Sequence, residues 1–264
     1  MTVERPADQC ISVVINTYNA ESLLDEVLTA VHAFDEIVIC DMESTDRTLD
    51  IARAHGCKVV TFPKANHKSA EPARTFAIQA AMCPWVLVVD ADEIVTPALT
   101  EYLYATVARK DRPAGLWIPR LGYFLHTFMP NSYPDYQLRF FQREGTVWPP
   151  YVHTFPDVKG HLEYIPRRRR DTAFIHLADD SIRTVLHKTN EYTDNEVEKK
   201  AQKHYGLPAL LWRPCWRFFR SYVLHGNWRA GIPGFISAVM DAYYQFVMVS
   251  KMLEPRYRDR RIPR

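Results

Sequence analysis

The sequence predicts an α/β fold in which a mostly parallel β-sheet is flanked by helices. Between Cys10 and Asp92, short runs of consecutive β-branched or aromatic residues alternate with segments of helical periodicity. A strand covered on both faces has this continuous apolar character, whereas a half-exposed strand alternates apolar and polar residues. This region is therefore predicted to follow a βαβαβαβ pattern.

Four strands are predicted in this first part of the chain. Each is bounded by polar turn residues and carries side chains that pack well on a pleated surface. Their ranges are residues 11–15, 36–40, 58–61 and 85–89.

Three helices are predicted between these strands. The first has apolar residues at helical spacing over 23–31, and Asn19 is its expected N-cap. The second covers 49–54 and ends at Gly56, and the third begins at Glu71, which is followed by a proline. The expected cap of the second helix is one of three residues, Ser44, Thr45 or Asp46.

The pattern changes after a fourth helix that begins at Thr96 and Pro97 and ends near Arg109. Short strands are predicted among many prolines and aromatics, at 115–119, 137–142, 146–148 and 173–177, with a hairpin turn at Glu144 and Gly145. A polar helix is predicted from Ser181 to about His204, and an apolar one near 235–253.

These elements predict one main domain over 1–205 and a helical C-terminal extension over 206–264. Within the main domain, the pattern of elements divides the chain into residues 10–95 and residues 96–180.

The composition describes an ordinary folded protein, with 264 residues, 47% hydrophobic residues and a net charge of +2. This charge gives no reason to expect nucleic-acid binding. The five cysteines form no CxxC pair and mostly lie in apolar runs, so we expect reduced, buried thiols of a cytosolic protein. Without a leader, or an apolar run of about 18 residues, we expect neither export nor an integral membrane protein.

Polar residues follow three of the predicted strands. Because ligands bind outside the carboxyl ends of the strands in an open α/β sheet, we expect these residues to line one crevice. They are Thr17, Tyr18 and Asn19 after the first strand, residues 41–46 after the second, and residues 90–93 after the fourth.

The two aspartates Asp90 and Asp92 are candidate metal ligands. Carboxylate oxygens suit Mg²⁺ or Mn²⁺, and such ions prefer one or two carboxylates together with substrate phosphates. The alternative is that both residues only cap the following turn. Their position beside two other polar strand ends favours the metal site. The chain contains neither a P-loop nor a glycine-rich dinucleotide fingerprint, so a metal would supply most of the charge opposite a diphosphate.

Three segments of the first half resemble family 2 inverting glycosyltransferases of GT-A fold. They are "ISVVINTYNAESLLDEVLTAV", "EIVICDMESTDRTLDIARAHGCKVV" and "WVLVVDADE", in the order and spacing of that family. The second half is more loosely similar to bacterial lipopolysaccharide-core glucosyltransferases, through "YQLRFFQREGTVW", "YVHTF", "FIHL" and "LHKTNEYTDNEVEKKA".

The resemblance implies that residues 10–95 form a nucleotide-sugar site with a bound Mg²⁺ or Mn²⁺, and that residues 96–180 form the acceptor side. The residues implied at the nucleotide site are Thr17, Tyr18, Asn19, Asp41, Ser44, Asp46, Arg74, Asp90, Ala91 and Asp92, with Asp92 and Asp90 as metal ligands. Relatives have an Arg-Asn pair where this chain has Arg74 and Thr75.

An inverting transfer needs a general base that takes the proton of the acceptor hydroxyl. Relatives offer a glutamate in a "VHE" segment, but this chain reads Val152, His153, Thr154. Four candidates therefore stay open: Asp157, Asp135, His153 and Glu163.

Three other residues lie at apolar positions. His153 and His176 are more typical of structural histidines than of site residues. Arg139 lies inside a β-patterned run, and a buried arginine needs an anionic partner such as aspartate, glutamate or phosphate.

Two basic segments are candidates for membrane contact. The segment "LWRPCWRFFRSYVLHGNWRAGIPGF" mixes tryptophan with arginine, as interfacial helices do, although its aromatics could instead pack on the main domain or a second subunit. Asp241 and the broken apolar pattern argue against a true span. The run Arg167–Arg170 is either a solvated loop or a contact with anionic headgroups or a phosphorylated acceptor.

The sequence therefore predicts a metal-dependent glycosyltransferase that uses a UDP-sugar to extend a bacterial surface glycan or lipid-linked acceptor. We expect it in the cytoplasm, in peripheral contact with the inner face of the membrane, and a homo-oligomer is compatible with the sequence. Two alternatives are a non-catalytic nucleotide-binding scaffold and a sugar-nucleotide pyrophosphorylase. The second is disfavoured because no glycine-rich GxGxR-type loop lies near the N-terminus.

Overall fold

The computed structural model describes residues 6–67, 69–151, 154–177, 181–200 and 205–258. The chain divides into two compact units. The first comprises Met1–Leu121 and Pro134–Ala178, and the second comprises Gly122–Tyr133 and Asp179–Arg264.

The strands and helices of the described residues are as follows in chain order. The strands are β1 Ile11–Thr17, β2 Glu36–Asp41, β3 Lys58–Thr61, β4 Trp85–Asp90, β5 Glu93–Ile94, β6 Gly115–Ile118, β7 Arg120–Phe124, β8 Thr127–Phe128, β9 Gln137–Gln142, β10 Leu162–Tyr164 and β11 Phe174–His176. The helices are α1 Leu24–Val31, α2 Thr48–Ala54, α3 Glu71–Ala80, α4 Pro97–Val107, α5 Ile182–Lys199, α6 Leu207–Phe219, α7 Gly231–Leu253 and α8 Pro255–Arg258.

The first unit is built on a mixed sheet with the strand order β10-β6-β9-β4-β1-β2-β3. Strand β1 pairs in parallel with both β2 and β4, and β2 pairs in parallel with β3. Strand β9 is antiparallel to β4 and β6. The predicted fold class, a mostly parallel sheet flanked by helices, is confirmed.

The central strands are covered on both faces, which explains their continuous apolar sequences. On one face, side chains of β1 and β4 such as Val13 and Leu87 pack with α1 and α4. On the other face, Val14 and Val86 pack with α3. Alternate side chains of a strand point to opposite faces, so both sets must be apolar.

The short elements after α4 differ from the prediction. Residues 146–148 form no strand, and Val147 makes only an isolated antiparallel bridge with Asp157. Strands β5, β7, β8 and β10 were not predicted, because strands of two to five residues depend on partners that are distant in the chain. Strand β10, for example, pairs in parallel with β6.

Cys10 and Cys83 form a disulfide, so the expectation of five reduced thiols is wrong for this pair. The residues that follow them, Ile11 and Trp85, are paired between β1 and β4, and this pairing brings the two cysteine Cα atoms to 5.3 Å. The expectation of burial is also wrong for Cys215, which is exposed. Cys40 is a buried free thiol, and its burial raises its pKa to about 12.

Alkylation of the unfolded, unreduced protein should label Cys40, Cys57 and Cys215 only, because Cys10 and Cys83 are cross-linked. Intact-protein mass spectrometry before and after reduction measures the difference. The Cys83→Ser variant is the control, since it frees Cys10 for labelling without reductant. Full labelling of the unreduced wild type would contradict the disulfide.

The second unit is mainly helical. The Tyr244 hydroxyl of α7 donates to Glu196 of α5 at 2.6 Å, and Lys251 contacts Asp194 at 2.6 Å. Because these contacts join α5 to α7, the boundary predicted after residue 205 falls inside the second unit.

One helical stretch of the described chain, Asn227–Leu253, is long and apolar enough to cross a membrane by length and composition. Its mean hydropathy is 1.2, and 22% of its most apolar window is buried. Core helices of soluble proteins pass the same test, so a single helix of this kind does not establish a span.

Candidate active site

The predicted polar strand ends meet at the carboxyl edge of the sheet. Asn16 at the end of β1 is paired with Asp90 of β4, and Thr17 is paired with Asp41 of β2. The parallel register therefore places the ends of β1, β2 and β4 side by side.

Hydrogen bonds join the segments that follow β1 and β2. The buried Asp41 accepts from the Thr17 hydroxyl at 3.0 Å and from the Ser44 amide at 2.9 Å. The Asn19 amide donates to the Ser44 hydroxyl at 2.9 Å, and the Asn19 side chain accepts from the Thr45 amide at 2.8 Å. Five of the implied nucleotide-site residues, Thr17, Tyr18, Asn19, Asp41 and Ser44, thus lie on two connected segments.

Asn19 does not cap α1, contrary to the prediction. It has a φ of 50°, a left-handed conformation that asparagine tolerates, and α1 begins at Leu24 after Leu23 as its N-cap. The cap predicted for α2 is also wrong, because its N-cap is Arg47, which makes no side-chain cap bond, although the Asp46 carboxylate accepts from the Thr48 amide at 3.0 Å.

Tyr18 and Lys64 form an exposed pair on the first unit. The Tyr18 ring is 48% exposed, and the Lys64 ammonium lies 4.1 Å from its centroid. An aromatic face and a cation are thus presented beside the segment that follows β1.

Asp90 is held by two buried arginines. Arg139 donates to both carboxylate oxygens, at 3.1 and 2.6 Å, and Arg74 donates to one of them at 2.8 Å. The prediction that buried Arg139 has an anionic partner is confirmed. Since guanidinium groups already contact both oxygens of Asp90, this carboxylate is a poorer metal ligand than Asp92.

The charge of Asp90 is stabilised by this contact. Burial alone would raise the pKa of Asp90, but the Arg139 and Arg74 guanidiniums outweigh it and hold the pKa well below its usual range.

The Trp148 ring covers both arginines, with its centroid 4.6 Å from Arg74 and 5.3 Å from Arg139. The Thr75 hydroxyl holds the Trp148 backbone in place, because it donates to the Trp148 carbonyl and accepts from the Trp148 amide, each at 2.9 Å. Arg74 therefore binds Asp90 directly, and Thr75 orients the ring above it.

A second chain of charges links Asp90 to Asp135. Glu93 accepts from the Asp90 amide at 3.1 Å and from Arg120 at 3.0 Å, and Arg120 also donates to Asp135 at 2.9 and 2.6 Å. Burial and the neighbouring charge of Asp90 raise the pKa of Glu93. Asp135 is thereby connected to the acidic end of β4 through a single arginine.

Asp92 lies beside His176, a residue that sequence reasoning had assigned a structural role. The His176 Nε2 atom is 3.3 Å from an Asp92 carboxylate oxygen, and both side chains are partly exposed. The pairing of β11 with β5 places His176 opposite Glu93, and the Leu177 amide donates to the Asp92 carbonyl at 2.7 Å. The sequence signals for this position were a histidine in a short predicted strand and its place in the segment "FIHL", which carries part of the family resemblance.

The other predicted residues lie in different surroundings. Glu163 is engaged by Arg109 at 2.9 and 3.1 Å, and Asp157 contributes to the bridge with Val147. Ala91 packs against the hydrophobic core, so only its backbone is available to a ligand. His153 lies outside the described residues. The run Arg167–Arg170 is exposed, and Arg169 pairs with Asp171 at 3.0 Å.

The architecture and this edge define an α/β protein whose acidic strand ends are reinforced by buried arginines, at the edge where open α/β sheets bind ligands. Residues 12–157 match the model of Glycosyl transferase family 2. Because the match spans more than half of the chain, this protein belongs to Glycosyl transferase family 2. It is a glycosyltransferase, and the expected GT-A fold class is confirmed.

Several known proteins are similar to this chain. The lipopolysaccharide core biosynthesis glycosyltransferase LpsC of Rhizobium meliloti is 26% identical over 254 residues, which cover 92% of each chain. An uncharacterized glycosyltransferase of Mycobacterium bovis is 34% identical over 127 residues, which cover 44% of this chain and 57% of that protein. A crystal structure of Mycobacterium tuberculosis glucosyl-3-phosphoglycerate synthase with Mn²⁺ and UDP-glucose is 22% identical, with a TM-score of 0.35, over 41% of this chain and 42% of that chain.

Proposed function

We propose that this glycosyltransferase is an inverting, metal-dependent enzyme that moves a sugar from a UDP-sugar to a glycan of the bacterial envelope. The observation that carries the proposal is the Asp92–His176 pair beside the Arg74–Asp90–Arg139 cluster. The partly exposed Asp92 carboxylate and the His176 imidazole lie next to the end of β4, where Asp90 is paired with two arginines. This is a donor set that a nucleoside diphosphate and a divalent cation can complete together.

The two side chains fit a divalent cation. Asp92 offers a carboxylate oxygen and His176 an imidazole nitrogen, a combination that Mn²⁺ accepts and that Mg²⁺ tolerates when phosphate oxygens and water complete its shell. The bound ion would neutralise negative charge on the departing diphosphate. In the described residues no group of three or more metal-binding side chains is present, so substrate oxygens would provide much of the coordination.

The nucleoside is assigned to the connected segments after β1 and β2. Hydrogen bonds join these two segments, so Asp41, Ser44 and Asp46 of one segment lie beside the segment that carries the exposed ring of Tyr18. The Lys64 cation beside that ring favours a negatively charged ligand. Asp90 then acts as a positioning residue that orders Arg74 and Arg139 at the diphosphate end of the site.

Asp135 is the general base that the geometry favours. It is half-exposed, and Arg120 and Gln137 hold its carboxylate in one orientation, with Gln137 donating at 2.9 Å. Arg120 connects it to Glu93 at the acidic end of β4. Neither Glu163, paired with Arg109, nor Asp157 has such a connection among the contacts of the described residues. In the proposed reaction Asp135 takes the proton of the acceptor hydroxyl as that oxygen attacks the donor sugar.

The proposed acceptor class is supported by similarity to the lipopolysaccharide core biosynthesis glycosyltransferase LpsC, which covers 92% of the chain. A lipid-linked or lipopolysaccharide-core acceptor places the reaction at the inner face of the cytoplasmic membrane. Family membership favours this transfer over the scaffold and pyrophosphorylase alternatives.

Binding of UDP with Mn²⁺ should raise the melting temperature by about 5–10 °C at a ligand concentration near 100 times Kd. Differential scanning fluorimetry with UDP, GDP, dTDP and CMP, each with and without Mn²⁺, measures the shift. The UDP shift should require Mn²⁺ and should be lost in Asp92→Asn and reduced in His176→Ala.

Asp50→Asn, at an exposed aspartate of α2, is the matched control and should retain the full shift. A shift with UDP that is unchanged in Asp92→Asn would contradict the metal site. Nucleotide binding without sugar transfer to any glycan acceptor would favour the scaffold alternative.

A further inference from the structure

The second unit contains a helical pair whose solvent side is apolar. Helices α6 and α7 run antiparallel, because Arg213 in the middle of α6 contacts Gln245 of α7, and Arg217, one turn later in α6, contacts Asp241, one turn earlier in α7. Their aromatic residues also meet, with Phe235 of α7 against Phe218 of α6 at 5.7 Å. We call this pair the α6–α7 hairpin.

Helix α6 has the reverse of the usual amphipathic arrangement. Its arginines face α7, where Arg213 donates to Gln245 at 3.0 Å and Arg217 to Asp241 at 3.5 Å. Its exposed stripe is apolar and consists of Leu207, Leu211, Trp212, Trp216 and Phe219. A surface helix in water normally directs its polar residues outward, so this stripe is suited to an apolar environment.

Helix α7 carries a similar stripe. Its exposed large residues recur at steps of three and four and are all apolar or aromatic. They are Ile232, Phe235, Val239, Tyr243 and Phe246. Both helices of the hairpin therefore present hydrophobic side chains to their surroundings.

The acidic residue of the hairpin does not oppose burial of these stripes. Asp241 accepts from the Ser221 hydroxyl at 2.7 Å, from Asn131 at 3.4 Å and from Arg217. Its charge is thus satisfied inside the second unit, and Asp241 lies on a different side of α7 from the apolar stripe. Asp241 argues against a membrane-spanning helix in the sequence, but it does not oppose a helix that lies along a membrane surface.

The net positive charge of the hairpin favours an anionic partner. Over residues 207–253 there are five lysines and arginines and one acid, Asp241. The exposed Arg229 lies 5.0 Å from the ring of Trp228, which is itself exposed, and Arg220 is exposed at the end of α6. Tryptophan and arginine together favour the headgroup level of a bilayer, whereas a second copy would place two net positive hairpins against each other.

We infer that the α6–α7 hairpin lies in the plane of a bilayer containing anionic lipids, with its two apolar stripes in the acyl boundary and Arg220 and Arg229 at the headgroups. This surface deepens the proposed function, on which it rests, because it would hold the enzyme at the membrane that carries a lipid-linked acceptor. Antiparallel pairing of the two helices along their length fits an in-plane position better than a single spanning helix.

Flotation of the full chain with vesicles tests this surface. The wild type should float with phosphatidylglycerol–phosphatidylcholine vesicles and much less with pure phosphatidylcholine. Trp212→Glu and Leu211→Glu, at side chains that are 64% and 65% exposed, should each lower binding by at least about tenfold. Met82→Glu, at a side chain of the first unit that is 71% exposed, adds the same charge and should bind like the wild type.

The nucleotide-dependent melting shift, measured on the same variants, separates this inference from the proposed function. Retained shifts with lost flotation support the hairpin as a membrane surface. Three results would overturn it: a wild type that does not float, flotation that resists alkaline carbonate as a spanning helix does, or a wild-type dimer that Trp212→Glu converts to monomer without any vesicle binding. Absence of the nucleotide shift in a wild type that floats would count against the proposed donor site alone.

Discussion

Replacing Arg139 with methionine is expected to lower the free energy of unfolding by about 3 kcal/mol, the low end for breaking a buried ion pair, because it leaves the partly buried charge of Asp90 with a single partner. Methionine retains much of the side-chain volume under Trp148, so the loss reports the charge rather than a cavity. Urea unfolding of the metal-free protein at neutral pH measures it. Arg53→Met removes an exposed pair with Asp50 and should cost less than about 1 kcal/mol.

The two carboxyls of this cluster, partly exposed Asp90 and buried Glu93, should contribute to stability with opposite pH dependence. The pKa of Asp90 is lowered in the folded protein, so its stabilising contribution is present above its ordinary value of 3.8 and is lost as the pH falls below it. The penalty of Asp90→Asn should therefore shrink in acid. The pKa of Glu93 is raised, so the wild type loses stability relative to Glu93→Gln as the pH rises above 4.5.

Urea unfolding at a series of pH values compares the three proteins. Equal penalties of Asp90→Asn at neutral pH and in acid would show that the carboxylate charge is not what the two arginines stabilise. A penalty of Glu93→Gln that grows with rising pH would contradict the raised pKa of Glu93.

Replacing Asp135 with asparagine is expected to lower kcat by about 10²–10⁴-fold, the usual contribution of a general base. The amide is isosteric with the carboxylate but cannot accept the proton of the acceptor hydroxyl. Release of UDP from a UDP-sugar in the presence of lipopolysaccharide-core acceptor measures turnover. The Mn²⁺-dependent melting shift with UDP should persist, because Asp135 is assigned to the acceptor side and not to the nucleotide.

Two variants provide matched controls for this assignment. Glu163→Gln removes the partner of Arg109, and Asp157→Asn alters the residue that bridges Val147, so both should retain turnover within a few-fold. If Asp135→Asn remains active while either control loses activity, the base lies elsewhere on the acceptor side.

The sequence was most informative where strands are covered on both faces. Consecutive apolar residues in 11–15 and 85–89 require burial on both sides, and only a sheet between helix layers provides it. The polar residues that follow these strands were expected together because the carboxyl ends of parallel strands share one edge. For Arg139 the sequence predicted the kind of partner, an anionic group, since a buried guanidinium needs one.

Contacts between distant residues could not be predicted in this way. The disulfide joins cysteines separated by 73 positions, and it depends on the register of β1 with β4. His176 reaches Asp92 only because the two-residue strand β5 pairs with β11. Asn19 was assigned to a cap by its spacing, but its side chain instead bonds to the segment after β2.

The sequence by itself determined the α/β class, the acidic edge and the family resemblance, because local apolar periodicity and strand-end motifs depend on neighbouring residues. The tertiary structure distinguished the two aspartates, since it paired Asp90 with two arginines and placed His176 beside Asp92. It also placed Arg213 and Arg217 against α7 and left the tryptophans of the segment exposed. Side-chain direction is set by packing between elements, and this packing is absent from any short stretch of sequence.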